Sequence, residues 1–153
     1  MDRQHILLAE SKPNLQHSLS LMLKQADYRV SLAESTEEAL TLARTLRNTQ
    51  ESVDLLIVDL DSASPEACRA FRRTLFASTL AIPYIVLAEE IRDQTSDALK
   101  RQGCLACIIK PFEPETLLRS VHDALNLLRQ QDGHQPGRKP EKISTESPVN
   151  QCG

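Results

Sequence analysis

Five short apolar runs punctuate the chain: Ile6–Ala9 (ILLA), Tyr28–Ala33 (YRVSLA), Asp54–Asp59 (DLLIVD), Pro83–Ala88 (PYIVLA) and Leu105–Lys110 (LACIIK). Most are continuous rather than alternating, the pattern of parallel strands covered on both faces. The second run alternates, as a half-exposed edge strand does. Between the runs the period changes to that of a helix. Leu15, Leu19, Met22 and Leu23 share one helical face, with Pro13 in the first turn. Ser35–Glu38 (STEE) reads as a capping box opening a helix through Ala39, Leu40, Ala43 and Leu46. A third helix starts with Ser64 as cap and Pro65 at its first position. A fourth, around Asp93–Gln102, ends at Gly103. A fifth begins near Glu113 and carries Leu117, Leu118, Val121, Leu125 and Leu128.

This alternation predicts an α/β fold, a doubly wound parallel sheet of five strands built as (βα)5. Right-handed crossovers put helices on both faces of such a sheet. The predicted folded domain spans residues 1–131. From residue 132 the composition turns to Gly, Pro, Ser and Lys with few large apolar residues, and residues 132–153 are expected to be a disordered tail. Its three basic and three acidic residues cancel, which excludes a polybasic anchor.

Composition narrows the function classes. The net charge of −3 gives no basic face for nucleic acid. No apolar run approaches the ~20 residues of a membrane span, and the first apolar run is too short for a signal peptide. A cytoplasmic protein is therefore expected. Cys104 and Cys107 have C-x-x-C spacing, but no second pair or nearby His completes a metal site, so they are expected to be two small buried thiols. His5, His17, His122 and His134 form no ligand spacing. His5 and His17 are expected at the surface or a helix edge.

In an open parallel sheet the ligand site lies beyond the carboxyl ends of the strands. There the sequence places Glu10 and Ser11, Asp59 and Asp61, Ala88 with Glu89 and Glu90, and Lys110 with Pro111. Charges left after apolar runs need a partner or an ion. A plain Lys110–Asp59 ion pair closing the sheet edge is one reading. A divalent-cation site is the other. Magnesium takes one or two carboxylates plus a phosphate, and a lysine serves that phosphate as a point charge.

From Gln4 to about Arg129 the chain resembles the receiver domain of two-component response regulators. The resemblance rests on ILLAE, DLLIVDLD, IPYIVLA and GCLACIIKPF in that order and spacing. It implies a flavodoxin-like strand order of 2-1-3-4-5. It implies Asp59 as phosphoacceptor, Lys110 as the phosphoryl-binding lysine and Glu10 as one of the acids organising Mg2+. It also implies a cis bond before Pro111. A histidine kinase or phosphotransfer protein would supply the phosphoryl group. The output would be contact with another protein, or a homodimer, through the fourth and fifth helices, with no nucleic acid or membrane partner. Only the short tail follows the fold, so a stand-alone receiver in a phosphorelay is expected, rather than an enzyme.

Three positions depart from the family pattern, which makes the site partly degenerate. Ser11 stands where a second metal-binding acid is usual, and Asp61 is the candidate to compensate. Weak Mg2+ binding and slow transfer follow. Ala88 replaces the hydroxyl residue at the end of the fourth strand. Such a hydroxyl, bonding a charged group, contributes about 1.5–3 kcal/mol, a large share of the about 5.5 kcal/mol that fully reverses a two-state equilibrium. Cys107 replaces the switch aromatic. A phosphorylation-independent pseudo-receiver is therefore the alternative. A remoter one is a phosphatase, because VDLDSAS resembles the D-x-D strand end of haloacid-dehalogenase-type enzymes. Two βα units precede Asp59 and Ala63 stands where Thr or Val is usual, which counts against it.

Overall fold

The computed structural model describes residues 3–60, 65–77 and 81–133. Strands and helices alternate throughout them: β1 (His5–Ala9), α1 (Pro13–Gln25), β2 (Arg29–Ala33), α2 (Thr36–Leu46), β3 (Leu55–Leu60), α3 (Pro65–Ala77), β4 (Tyr84–Ala88), α4 (Asp93–Lys100), β5 (Cys104–Ile109) and α5 (Pro114–Gly133). All strand pairs are parallel and the order is β2-β1-β3-β4-β5. The direction of strand addition reverses between β1 and β3, which makes the carboxyl ends of those two strands the switch point. The chain forms two compact units, Met1–Ser120 and Val121–Gly153. The sheet and the strand-end site lie in the first.

The continuous apolar runs are explained by burial on both faces. Leu7, Leu56, Val58, Tyr84 and Val86 join Ala39, Leu40, Phe71 and Leu99 from α2, α3 and α4 in one cluster. The alternate positions Ile6, Leu8, Leu55, Ile57, Ile85 and Leu87 are equally buried on the opposite face. The cluster is almost wholly aliphatic. Its aromatic contact is Phe71 edge-on to Tyr84, with centroids 5.0 Å apart. β2, at one edge, is only half-buried, in keeping with its alternating sequence.

Local signals fix the helix ends. Ser35 Oγ accepts the amide of Glu38 at 3.1 Å, as its capping box requires. The returning bond differs, because Glu38 accepts from the amide of Glu34 rather than from that of Ser35. α3 opens at Pro65, while its expected cap, Ser64, lies outside the described residues. α4 stops at Lys100, and Gly103 at φ +103° turns the chain into β5. α5 runs to Gly133, and of the expected tail the part from residue 134 lies outside the described residues. Among the described residues, no helix is long and apolar enough to cross a membrane.

The surface placement expected for His5 is wrong. His5 is buried, 2% exposed, at the amino end of β1. Its Nδ1 lies 2.7 Å from the Glu51 carbonyl and its Nε2 2.7 Å from Ser31 Oγ. Its backbone amide donates to the Asp54 carboxylate. A histidine survives inside a central strand because both ring nitrogens are satisfied. His17 is exposed, as its sequence position suggests.

Candidate functional site

Strand register brings the predicted acids together. Ala9 pairs with Val58, so the next residues along, Glu10 just past β1 and Asp59 near the end of β3, lie side by side. Asp59 in turn pairs with Leu87 of β4, and Ala88 pairs with Ile109 of β5. The Lys110 amide donates to the Ala88 carbonyl at 2.8 Å, which holds Lys110 at the same edge. From there its Nζ reaches across the end of β4 and donates to both oxygens of Asp59, at 2.7 and 2.8 Å. The Asp59 side chain is wholly covered and that of Lys110 is 14% exposed. A buried, doubly bonded pair of this kind is strongly destabilised by removing one partner.

Glu10 is the third member. It is 1% exposed. Its Oε2 accepts the amide of Lys12 at 2.9 Å, and Gln16 Nε2 donates to its backbone carbonyl at 3.1 Å. Its Oε1 is buried and, among the described residues, has no hydrogen-bond donor. Burial, and then the neighbouring Asp59 carboxylate, push the Glu10 carboxyl up to about 7, against the opposing pull of the Lys12 amide and the Lys110 charge. Among the described residues, one lysine therefore faces two acids. The excess negative charge is relieved either by a proton on Glu10 or by a cation.

The remaining predicted positions surround this trio. Ser11 is exposed, and Lys12 rather than Ser11 is the N-cap of α1. Ala88 is buried, 1% exposed, and offers no hydroxyl at the end of β4. Glu89 and Glu90 are exposed. The Lys110–Pro111 bond is cis. Asp61 lies outside the described residues, and among those described no group of three or more His, Cys, Asp or Glu could hold a metal. Of the two thiols expected to be buried, Cys104 is buried but Cys107 is only half-buried, because β5 lies at the sheet edge. The Cys107 Sγ lies 3.7 Å from Cys104 Sγ. Ser96 Oγ donates to Cys107 Sγ at 3.6 Å. Sequence reasoning missed Ser96 and the Lys12 amide because neither belongs to a strand end.

A family model, the response regulator receiver domain, matches residues 6–122. The chain is 32% identical over 123 residues to protein PilH of Pseudomonas aeruginosa, covering 78% of this chain and 96% of PilH. It is 29% identical over 145 residues to the transcriptional regulatory protein GlrR of Escherichia coli, covering 95% of this chain but only 31% of GlrR. Among solved structures, a CheY-like receiver domain protein from Methanospirillum hungatei superimposes with a TM-score of 0.68 at 18% identity, over 85% of this chain and 99% of that one. Chemotaxis protein CheY4 of Vibrio cholerae superimposes at 0.62 with 25% identity, over 80% and 98%. The family match includes both βα units ahead of Asp59, a context foreign to the phosphatase reading of the D-x-D strand end. By fold, by family match and by these relatives, the chain belongs to the response regulator receiver domain family of two-component signalling, a signalling module rather than an enzyme.

Proposed function

We propose that this receiver accepts a phosphoryl group on Asp59 from a phosphohistidine of a kinase or phosphotransfer protein, acts as a stand-alone member of a cytoplasmic phosphorelay, and signals by protein contact. The observation that carries this reading is the Asp59–Lys110 pair with Glu10 Oε1 beside it, buried and, among the described residues, lacking a donor. Transfer requires an Asp59 oxygen to attack phosphorus while the phosphorus–nitrogen bond to the donor imidazole breaks. Both oxygens are bound to Lys110 Nζ, so one must be released first, and the covered side chain must open to the donor. Lys110 then has its charge free for the incoming phosphoryl oxygens.

The family typically binds Mg2+, and the residues present fit one. Glu10 Oε1 and the Asp59 carboxylate are hard oxygen donors facing an unbalanced charge. Asp61 is a further candidate ligand. When bound, the cation neutralises phosphoryl charge. Ser11 supplies no carboxylate, and the cation must displace the proton that Glu10 holds, so binding is weak. Next to Lys110, a groove of about 850 Å³ is lined by Leu15, Leu19 and Met22 of α1 and by Pro111, Phe112 and Pro114. Its apolar walls suit a helical phosphodonor. The proposed output surface comprises α4, β5 and the first turns of α5.

Ala88 favours a second reading, a pseudo-receiver that binds partners in one conformation. Titrating the protein with beryllofluoride and Mg2+ while recording amide NMR shifts separates the two. Shifts at Asp59 and Lys110 support acceptance of phosphate, and shifts that spread to α4 support a working switch. Spectra unchanged at saturating magnesium and beryllofluoride contradict the phosphoacceptor reading.

A further inference from the structure

β5 carries two thiols that an uninterrupted strand would direct to opposite faces, because residues three apart differ by an odd number of alternations. The register against β4 is interrupted. Tyr84 pairs with Cys104 and Ile85 pairs with Ala106, which leaves Leu105 as an extra residue. A bulge of one residue shifts the alternation by one. Cys104 and Cys107 thereby come to the same face, in the cluster that holds Tyr84 and Leu99. Their Sγ atoms lie 3.7 Å apart.

The two sulfurs are unequal. Cys104 is buried, 4% exposed, whereas Cys107 is half-buried and accepts from Ser96 Oγ. The hydrogen bond shared with Cys104 lowers the Cys107 thiol against the effect of burial, with help from the Ser96 hydroxyl and the Lys100 charge. The same bond, and then burial, raise Cys104. The more accessible sulfur is therefore the one that ionises, as in reactive cysteine pairs.

We propose that Cys104 and Cys107 form an oxidisable dithiol that hydrogen peroxide closes into a disulfide within β5. The Cys107 thiolate attacks one peroxide oxygen, the O–O bond breaks, and hydroxide leaves and takes a proton to become water. The resulting sulfenic acid is then attacked by the Cys104 sulfur. The S–S bond forms as the S–O bond breaks, and the second water leaves. Two electrons and two protons pass from the thiols to the peroxide. The sulfurs must close from 3.7 Å to about 2.05 Å, which requires the backbone to yield between the two residues. β5 is the place where it can: an edge strand, paired on one side only, already bulged at Leu105. Closure displaces the Cys107 Sγ that accepts from Ser96 Oγ and so registers the redox state at α4.

The test uses the full chain with hydrogen peroxide, followed by denaturation, alkylation and mass spectrometry. Of the four cysteines, two are expected to escape alkylation, with peptide mapping placing the link between Cys104 and Cys107 and dithiothreitol restoring both. In Cys104→Ser, dimedone should trap a sulfenic acid on Cys107. Four alkylated cysteines overturn the proposal. So does a link to Cys68 or Cys152, or a Cys107 oxidised while Cys104 stays free. The mapping on the unaltered chain stands whether or not the variant folds. No phosphodonor is involved, so failure here leaves the role of Asp59 untouched.

Discussion

Replacing Glu10 by Gln keeps the shape of the side chain and removes its charge. In the metal-free protein this isolates the cost of packing two acids against one lysine. The folded carboxyl titrates at about 7, against 4.5 for an ordinary glutamate. Between those pH values the native state holds a proton that the unfolded chain has already released, so stability falls as pH rises. At about 1.4 kcal/mol per pKa unit, the total loss approaches about 3 kcal/mol. The substituted amide has no proton to lose. Urea melts in chelator at pH 5 should therefore give nearly equal stabilities for Glu10→Gln and the unaltered chain. At pH 8 the variant should be the more stable by up to about 3 kcal/mol. Titrations elsewhere in the molecule are common to both and cancel in the difference. Magnesium at pH 8 should narrow the gap by replacing the proton between the acids. A difference that is the same at pH 5 and pH 8 would refute the burial and charge argument for Glu10.

Lys110→Met leaves the covered Asp59 carboxylate without its cation. Urea melts at pH 8 should show a loss of about 3 kcal/mol, the lower end for breaking a buried pair, and a smaller loss at pH 5, where Glu10 is protonated and adds no negative charge beside Asp59. His5→Ala removes two ring hydrogen bonds and opens a hole at the start of β1. It should cost about 2–4 kcal/mol, read from the same melts. In Gly103→Ala the added Cβ would meet Tyr84 Cε1 at an ordinary 3.7 Å, so only the positive φ opposes it. Thermal unfolding should show a loss of about 1–2 kcal/mol. A much larger loss would mean steric crowding that the packing does not show.

How far the sequence carries can be traced residue by residue. The runs at Ile6–Ala9 and Pro83–Ala88 fall within a residue of β1 and β4, because burial on both faces leaves little but apolar side chains in a strand. Asp59 and Lys110 were readable for the complementary reason. Parallel strands gather their carboxyl ends, and a charge ending an apolar run is conspicuous there. Glu10 was readable as an acid at that edge, but its unsatisfied Oε1 was not, since that depends on how β1 and β3 are staggered. His5 misled because it forms no ligand spacing with the other histidines and nothing beside it in sequence reveals a partner. Its burial depends on Ser31 and Glu51, far along the chain. The Cys104–Cys107 contact was out of reach for a similar reason. It exists only because Leu105 is skipped in pairing, and no residue at that point signals a bulge.

Whether Asp59 takes phosphate is best measured by intact-mass spectrometry of the protein incubated with acetyl phosphate and magnesium, beside an Asp59→Asn variant. The chemistry proposed for the Asp59–Lys110–Glu10 site predicts one phosphoryl adduct on the unaltered chain, labile to hydroxylamine, and none on the variant. An unmodified chain at saturating magnesium, or an equal adduct on Asp59→Asn, would contradict it.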